Sequence, residues 1–257
     1  MKPPGPVLIH PFPEWENQIR AAFSTRLGGS SAGNYSSLNL GFRSGDDSGA
    51  VARNWDAIRE ITGLTGKPLV MPRMVHGDVL ADADAVPESI GPTGLLEPEG
   101  ADAVYSRRRD RILAVTMADC LTALIFDSNR RTIAAVHAGW RGTRLGIVGK
   151  TLQTLIAESH INPEDTWVAF GPCLRPASLE IGEEVAAQLD PKYLIRIGKK
   201  VHFDMPACNR DQVLAAGIPS THLRDMGGCT LMEPDRYFSY RRDGQASGRL
   251  AAFISLV

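Results

Sequence analysis

Two apolar runs, residues 121–127 and 131–137, are separated only by the polar cluster "DSNRR". Parallel strands need a crossover far longer than this, so the pair predicts an antiparallel hairpin. The hairpin sets which residues can meet. With Ser128 and Asn129 as the loop, Cys120 stands directly opposite His137, and opposed Cβ atoms lie about 4.5–5.5 Å apart. A register two residues longer makes them diagonal neighbours on one face. A slip of one residue sends them to opposite faces.

Further apolar runs at 19–25, 69–75, 111–117, 166–170 and 250–256 read as strands. Helical spacing appears in 48–62, where Val51, Trp55, Ile58 and Ile61 share a stripe, Asp47 or Ser48 caps the start and Gly63 ends it. It appears again in 144–159, around 181–189, and in 207–216 ahead of Gly217. Strands and helices mix without a βαβ rhythm, which predicts an α+β fold with mixed sheets. The Pro, Gly and Glu-rich stretch "VPESIGPTGLLEPEGAD" (86–102) reads as a surface excursion. It does not read as a boundary, so residues 1–257 are expected to form one domain.

A net charge of −1 on 257 residues gives no electrostatic case for nucleic acid or an anionic membrane as partner, and points to a small molecule. No run is apolar enough to span a bilayer, and the N-terminal "MKPPGPVLIHPFPEWENQ" has prolines where a signal peptide needs an apolar core. The expected compartment is the cytoplasm, with Cys120, Cys173, Cys208 and Cys229 reduced.

The chemistry concentrates around the hairpin. Cys120, in "TMADC", and His137, in "AAVHAGWRGT", share a face and could share a metal ion or a proton. His76, in "MPRMVHGDVL", also ends an apolar segment ahead of glycine. Two histidines and a cysteine make a three-ligand set, and zinc sites of that kind keep a fourth position for water or substrate. Asp119 stands beside the cysteine as a candidate acid, and Gly139 and Gly142 allow close approach to the backbone. Lone buried cysteines are more often small hydrophobes, the reading given to Cys173, Cys208 and Cys229. Three arginines are candidates for gripping an anion: Arg26 in a Gly/Ser-rich loop, Arg141 after Trp140, and Arg241 in "YFSYRRDGQASGR". Against this, the residues alone favour a flexible surface loop for the first, and the last also reads as a charged turn between strands.

Taken in order, "FSTRLGGSSAGNYSSLNLG", "VHGD", "GADAVYS", "TMADCLTALIFD", "AAVHAGWRGT", "GPCLRPASLEIGEEV", "CNRDQVLAAGI" and "YFSYRRDGQASGR" resemble the YfiH-like, laccase-domain family over about residues 7–256. The resemblance implies a layered α/β/β/α arrangement with mixed sheets, similar to the cysteine hydrolase fold of toxins that deamidate with a Cys–His pair. It implies one zinc ion on His76, Cys120 and His137, with copper as the alternative. It implies phosphorolysis of purine nucleosides, methylthioadenosine included, and deamination of adenosine. Catalytic roles then fall to Cys120, His137, Asp119 and Arg241, and binding of nucleoside and phosphate to Arg26 and Arg141. The chain departs from the family at Met74–Val75, Thr122 and Ala177–Glu180, positions that bear on substrate preference more than on metal. Rival readings are a metal-free hydrolase with Cys120 as nucleophile and His137 as base, a copper polyphenol oxidase, and a non-catalytic adaptor.

Overall fold

The longest apolar runs carry no polar face because both of their faces are covered. In Leu121–Asp127, Leu121, Ala123 and Ile125 join one buried cluster while Leu124 and Phe126 join another. Thr132–Ala138 splits the same way, with Ala134, Val136 and Ala138 against Ile133 and Ala135. A computed structural model describes residues 5–86, 95–129 and 131–257.

Among the described residues the main framework is two six-stranded mixed sheets. The first runs Leu8–Ile9, Ile19–Ser24, Leu250–Leu256, Ile112–Met117, Leu69–Val70, Leu95–Leu96. The second runs Leu223–Asp225, Thr166–Phe170, Leu121–Asp127, Thr132–Ala138, Ala103–Ser106, Leu80–Asp82. They share a core that includes Phe23, Leu113, Val115, Leu124, Phe126 and Ile254. The helix Ser48–Thr62 covers the outer face of the first sheet, where buried Trp55 meets Phe253 edge-on at 6.2 Å and donates its indole N–H to Leu40 O at 3.0 Å. The helices Ile147–Ala157 and Met205–Ala215 cover the outer face of the second through Val148, Leu152, Leu155 and Val213. The layers are therefore α/β/β/α. A third, three-stranded sheet (Glu180–Ile181, Lys200–Phe203, Leu194–Ile197) stands beside them.

The hairpin takes the longer register, with Thr122 opposite His137 and Asp127 opposite Thr132. The connection spans 128–131 because Asp127 organises it: its carboxylate accepts the Asn129 N–H at 2.9 Å and its carbonyl accepts the Arg131 N–H at 3.0 Å. Cys120 and His137 are thus diagonal neighbours and not a directly opposed pair.

Four other expectations change. The helix expected over 144–159 is two helices, Trp140–Leu145 and Ile147–Ala157, because Gly146 turns left-handed (φ 82°) and breaks the run. The strand expected over 69–75 shrinks to Leu69–Val70, and the helix expected around 181–189 to Glu183–Ala186. The supposed surface excursion is a core element where it is described: Leu95–Leu96 is a buried strand parallel to Leu69–Val70, and Asp102 is fully buried. Residues 87–94 of it lie outside the described residues. The strand Ala103–Ser106 and the hairpin around 194–203 had no counterpart in the sequence reading.

Candidate metal centre and cavity

Three elements converge at one end of the sandwich. His137 is the penultimate residue of Thr132–Ala138 and 3% exposed. Cys120 lies just ahead of Leu121–Asp127, where the chain passes from the first sheet to the second. His76 is on the loop between Leu69–Val70 and Leu80–Asp82. One ligand atom from each lies within 4.8 Å of the other two, and the imidazole rings meet edge-on at 5.0 Å. An ion whose bonds are about 2.0–2.3 Å long would be held there once the donors draw slightly together.

Asp102, which the sequence reading left in a surface excursion, joins the two histidines. Its carboxylate accepts N–H groups from Val75 (3.0 Å), His76 (3.0 Å) and Gly77 (2.8 Å), and also faces His137 Nδ1 at 2.8 Å. Its backbone carbonyl accepts the His137 N–H at 2.7 Å. Three consecutive amides around one anion hold His76 in the left-handed region, φ 61°, which a non-glycine residue enters at a cost of about 1–2 kcal/mol. An Nδ1–H bound to this carboxylate leaves Nε2 with its lone pair free for a ligand. The donor set therefore suits a metal ion: one thiolate, two imidazoles, and a buried carboxylate behind them.

The electrostatics favour the charged forms. Burial works against ionised Asp102, but hydrogen bonds from His137, Gly77 and Val75 outweigh it and hold its carboxyl at about 2. Burial likewise raises the Cys120 thiol, yet the charge and hydrogen bond of His137, with help from His76, bring it down to about 6. Burial disfavours protonated His137, but the Cys120 sulfur and Asp102 lift it to about 9. The proton shared by cysteine and histidine therefore sits on the imidazole. In protein stripped by a chelator, alkylation of Cys120 by iodoacetamide should follow a titration near pH 6. The thiolate is fully present above that value and lost below it, whereas an ordinary cysteine titrates near about 8.5. Rapid labelling at about pH 7 that zinc blocks is the expected result, read by peptide mass spectrometry. A profile centred above about pH 8 would contradict it.

Gly139 has a steric reason to be glycine. A Cβ there would lie 3.0 Å from Cys120 Sγ, 3.3 Å from His76 Cδ2 and 3.7 Å from His137 Cε1, in the midst of the donors. At Gly142 a Cβ would come within 2.9 Å of Gly77 O, so the helix Trp140–Leu145 packs directly on the His76 loop. Gly139→Ala should cut bound metal at least about tenfold while the circular dichroism stays native, because the backbone at this site (φ −67°) suits alanine. Full metal content in that variant would show that the donors do not close on one ion.

The three donors open into a cavity of about 760 Å³, the size of a small-molecule site. Met74, Trp140, Leu174, Met205 and Tyr240 supply apolar walls; Arg241 and Arg249 bring positive charge. Asp119 reaches the same cavity, but its carboxylate is already engaged by the Thr230 hydroxyl (2.7 Å) and the Arg241 backbone N–H (2.6 Å). Arg241 Nη1 donates to Glu180 O at 2.8 Å.

Two of the expected anion-binding arginines are elsewhere. Arg26 donates to Ser36 O and Pro234 O, both at 2.9 Å, and lies over the Phe238 ring at 4.5 Å; it braces two loops and does not line the cavity. Arg141 is exposed and stacks on Trp140 at 4.5 Å, outside the lining. Arg249, not singled out from the sequence, lines the cavity instead: burial disfavours its charge, and its guanidinium donates to Ser247 O (2.6 Å) and Gly248 O (3.1 Å). It closes the motif "YFSYRRDGQASGR" directly ahead of an apolar strand, which was the signal it offered.

Residues 20–257 match the sequence profile of the family described as multi-copper polyphenol oxidoreductase laccase. The chain is 36% identical to a Bacteroides thetaiotaomicron protein named purine nucleoside phosphorylase, over 242 residues covering 91% of this chain and 90% of the relative. It is 32% identical to purine nucleoside phosphorylase YfiH of Escherichia coli over 253 residues, 95% of this chain and 98% of the relative. The crystal structure of YlmD from Geobacillus stearothermophilus superposes with a TM-score of 0.87 at 30% identity, covering 95% of this chain and 93% of that one. The crystal structure of the Bacillus licheniformis hypothetical protein YfiH gives 0.89 at 26% identity, with coverages of 99% and 97%.

Proposed function

Since the chain belongs to the multi-copper polyphenol oxidoreductase laccase family, which holds relatives named purine nucleoside phosphorylases, we propose that it is a zinc-dependent enzyme that phosphorolyses purine nucleosides. One observation carries the reading: His76, Cys120 and His137 converge in a cavity that also offers apolar walls and two arginines. In the reaction a phosphate oxygen attacks C1′ of the ribose, the bond from C1′ to the purine nitrogen breaks, and the base leaves as the sugar phosphate forms.

His76, Cys120 and His137 would hold the ion, which when bound supplies Lewis acidity beside the substrate. The chain's own groups do the rest. Asp102 keeps His137 in one tautomer and one orientation. Arg241 and Arg249 place positive charge where phosphate and developing negative charge need it. Trp140, Tyr240 and the methionine and leucine side chains receive the purine and exclude water. The same reading covers the chain as a single catalytic unit acting in the cytoplasm. No helix among the described residues is long and apolar enough to cross a membrane. Deamination of adenosine asks for a free acid near the base, and the prior engagement of both Asp119 oxygens counts against that residue in the role.

The test is inosine with inorganic phosphate and zinc-loaded protein, following hypoxanthine release. Phosphate-dependent release is expected. No release of base from any purine nucleoside by protein shown to hold metal would end the proposal. Elemental analysis decides between zinc and copper, since thiolate and imidazole accept both.

A second reading rests on the alignment of Cys120, His137 and Asp102, which matches a nucleophile, its base and the carboxylate that orients the base. As a metal-free hydrolase the protein would be indifferent to chelators and inactivated by iodoacetamide. The presence of His76 as a third donor favours the metal.

A further inference from the structure

Cys173 and Cys229 lie outside the metal-ligand set, on two segments that flank the cavity. They pair as an isolated parallel bridge, and the Thr230 N–H donates to Cys173 O at 3.2 Å. Strands paired in this way run about 4.7–4.9 Å apart, and directly paired residues project to the same face. A disulfide accepts Cα separations of about 4.4–6.8 Å. Cα atoms paired in this way fall within the range a disulfide accepts.

The two thiols differ in character. Cys173 is fully buried, and burial pushes it up to about 12. Cys229 is half-buried, with its sulfur 3.3 Å from the Ser178 hydroxyl. Burial raises it, but the hydrogen bond to Ser178 and the backbone N–H groups of Arg175, Met232 and Leu231 outweigh that and leave it below the ordinary thiol value. Cys208, also half-buried, is instead pushed up to about 11 by burial. One member of the pair is accessible and activated; the other is sheltered beside it. Oxidant-sensing cysteines have this division, with an exposed thiolate next to a resolving thiol.

We propose that Cys229 is a site of oxidation by hydroperoxides and that Cys173 resolves it to an intramolecular disulfide. The Cys229 thiolate attacks one peroxide oxygen. The S–O bond forms, the O–O bond breaks, and the departing oxygen takes up a proton and leaves as an alcohol or as water. Cys173 then attacks the sulfenic sulfur. The S–S bond forms, the S–O bond breaks, and the hydroxyl leaves as water with the Cys173 proton. The thiol pair loses two electrons and the peroxide gains them. The bond would tie the segment carrying Leu174, a cavity wall residue whose N–H binds Asp119 O at 2.9 Å, to the segment carrying Thr230, which holds the Asp119 carboxylate.

The experiment treats the whole zinc-loaded protein with hydrogen peroxide, caps remaining thiols, digests without reductant and reads the peptides by mass spectrometry. A peptide containing Cys173 linked to one containing Cys229, lighter by two hydrogens and released by dithiothreitol, is the expected product. Before oxidation, iodoacetamide should label Cys229 at least about tenfold faster than Cys208 at about pH 7. Cys229→Ser should abolish the link, and Cys173→Ser should leave a Cys229 sulfenic acid that dimedone captures. Cys229 staying a free thiol, joining Cys120 or Cys208, or passing to the sulfinic acid with no link would each overturn the proposal. The wild-type protein alone supplies these outcomes, so a variant that fails to fold does not rescue it.

Discussion

Cys120→Ala is expected to leave less than about a tenth of the wild-type metal and to lower phosphorolysis at least about a thousandfold, with the fold retained. The sulfur is the anionic member of the donor set, and with Asp102 it favours a protonated His137. Without it, two imidazoles remain, one of them on an exposed loop. Compared metal-free with metal-free, removing a single partly buried sulfur beside Met117, Tyr237, Phe238 and Leu250 should cost the fold only about 1 kcal/mol. Elemental analysis, inosine turnover and thermal melting on the same sample separate these effects. A folded variant with full metal and full turnover would remove Cys120 from the chemistry.

Asp102→Asn is expected to weaken metal binding by about 10–100-fold, the usual loss when a carboxylate behind a ligating histidine is removed. The asparagine has the same shape but one acceptor oxygen in place of two. The native carboxylate serves Val75, His76, Gly77 and His137 together. An amide NH₂ turned toward any of these finds a donor facing a donor. Each buried N–H left unpaired costs about 1–3 kcal/mol, so the variant should also melt earlier. Competition against a chelating dye measures the affinity. If the D102N variant bound zinc as tightly as the wild type, the carboxylate would have no part in arranging the histidines. At low pH the native protein should behave similarly: stability from Asp102 is present above about 3.8, the unfolded value, and disappears as pH falls through about 2.

The parts of this molecule that announced themselves in the sequence are those where local pattern and burial agree. Leu121–Asp127, Thr166–Phe170 and Leu250–Leu256 are apolar over most of their lengths and needed no tertiary information. Ser48–Thr62 carried both caps, although Ile61, counted in its stripe, is 51% exposed and Thr62 is buried in its stead. The convergence of Cys120 and His137 was legible through the hairpin, up to the choice between two registers that only the folded turn settles. His76 could be named but not placed, since nothing in a loop sequence states where the loop comes to rest. Asp102 was misread for a physical reason: an acidic residue after "EPEG" looks solvated, and its burial becomes tolerable only when three amides and an imidazole from distant segments surround it. Arg26 failed in the opposite direction. Its glycine-rich surroundings suggested anion binding, yet the backbone carbonyls of Ser36 and Pro234, neither of them in the cavity lining, claim its guanidinium.

The donors hang from different halves of the sandwich. His76 follows a strand of the first sheet, Cys120 lies on the passage between sheets, and His137 stands next to last in a strand of the second. A bound ion is thus a rivet through the open end of the sandwich, and it can be set only once the two halves have come together. Uptake of zinc should report the final stage of assembly, and occupancy should feed back on durability: a free concentration about a hundredfold above the dissociation constant adds about 2.7 kcal/mol. Protein deprived of its ion would then be easier to unravel and, on the proposed function, idle as well.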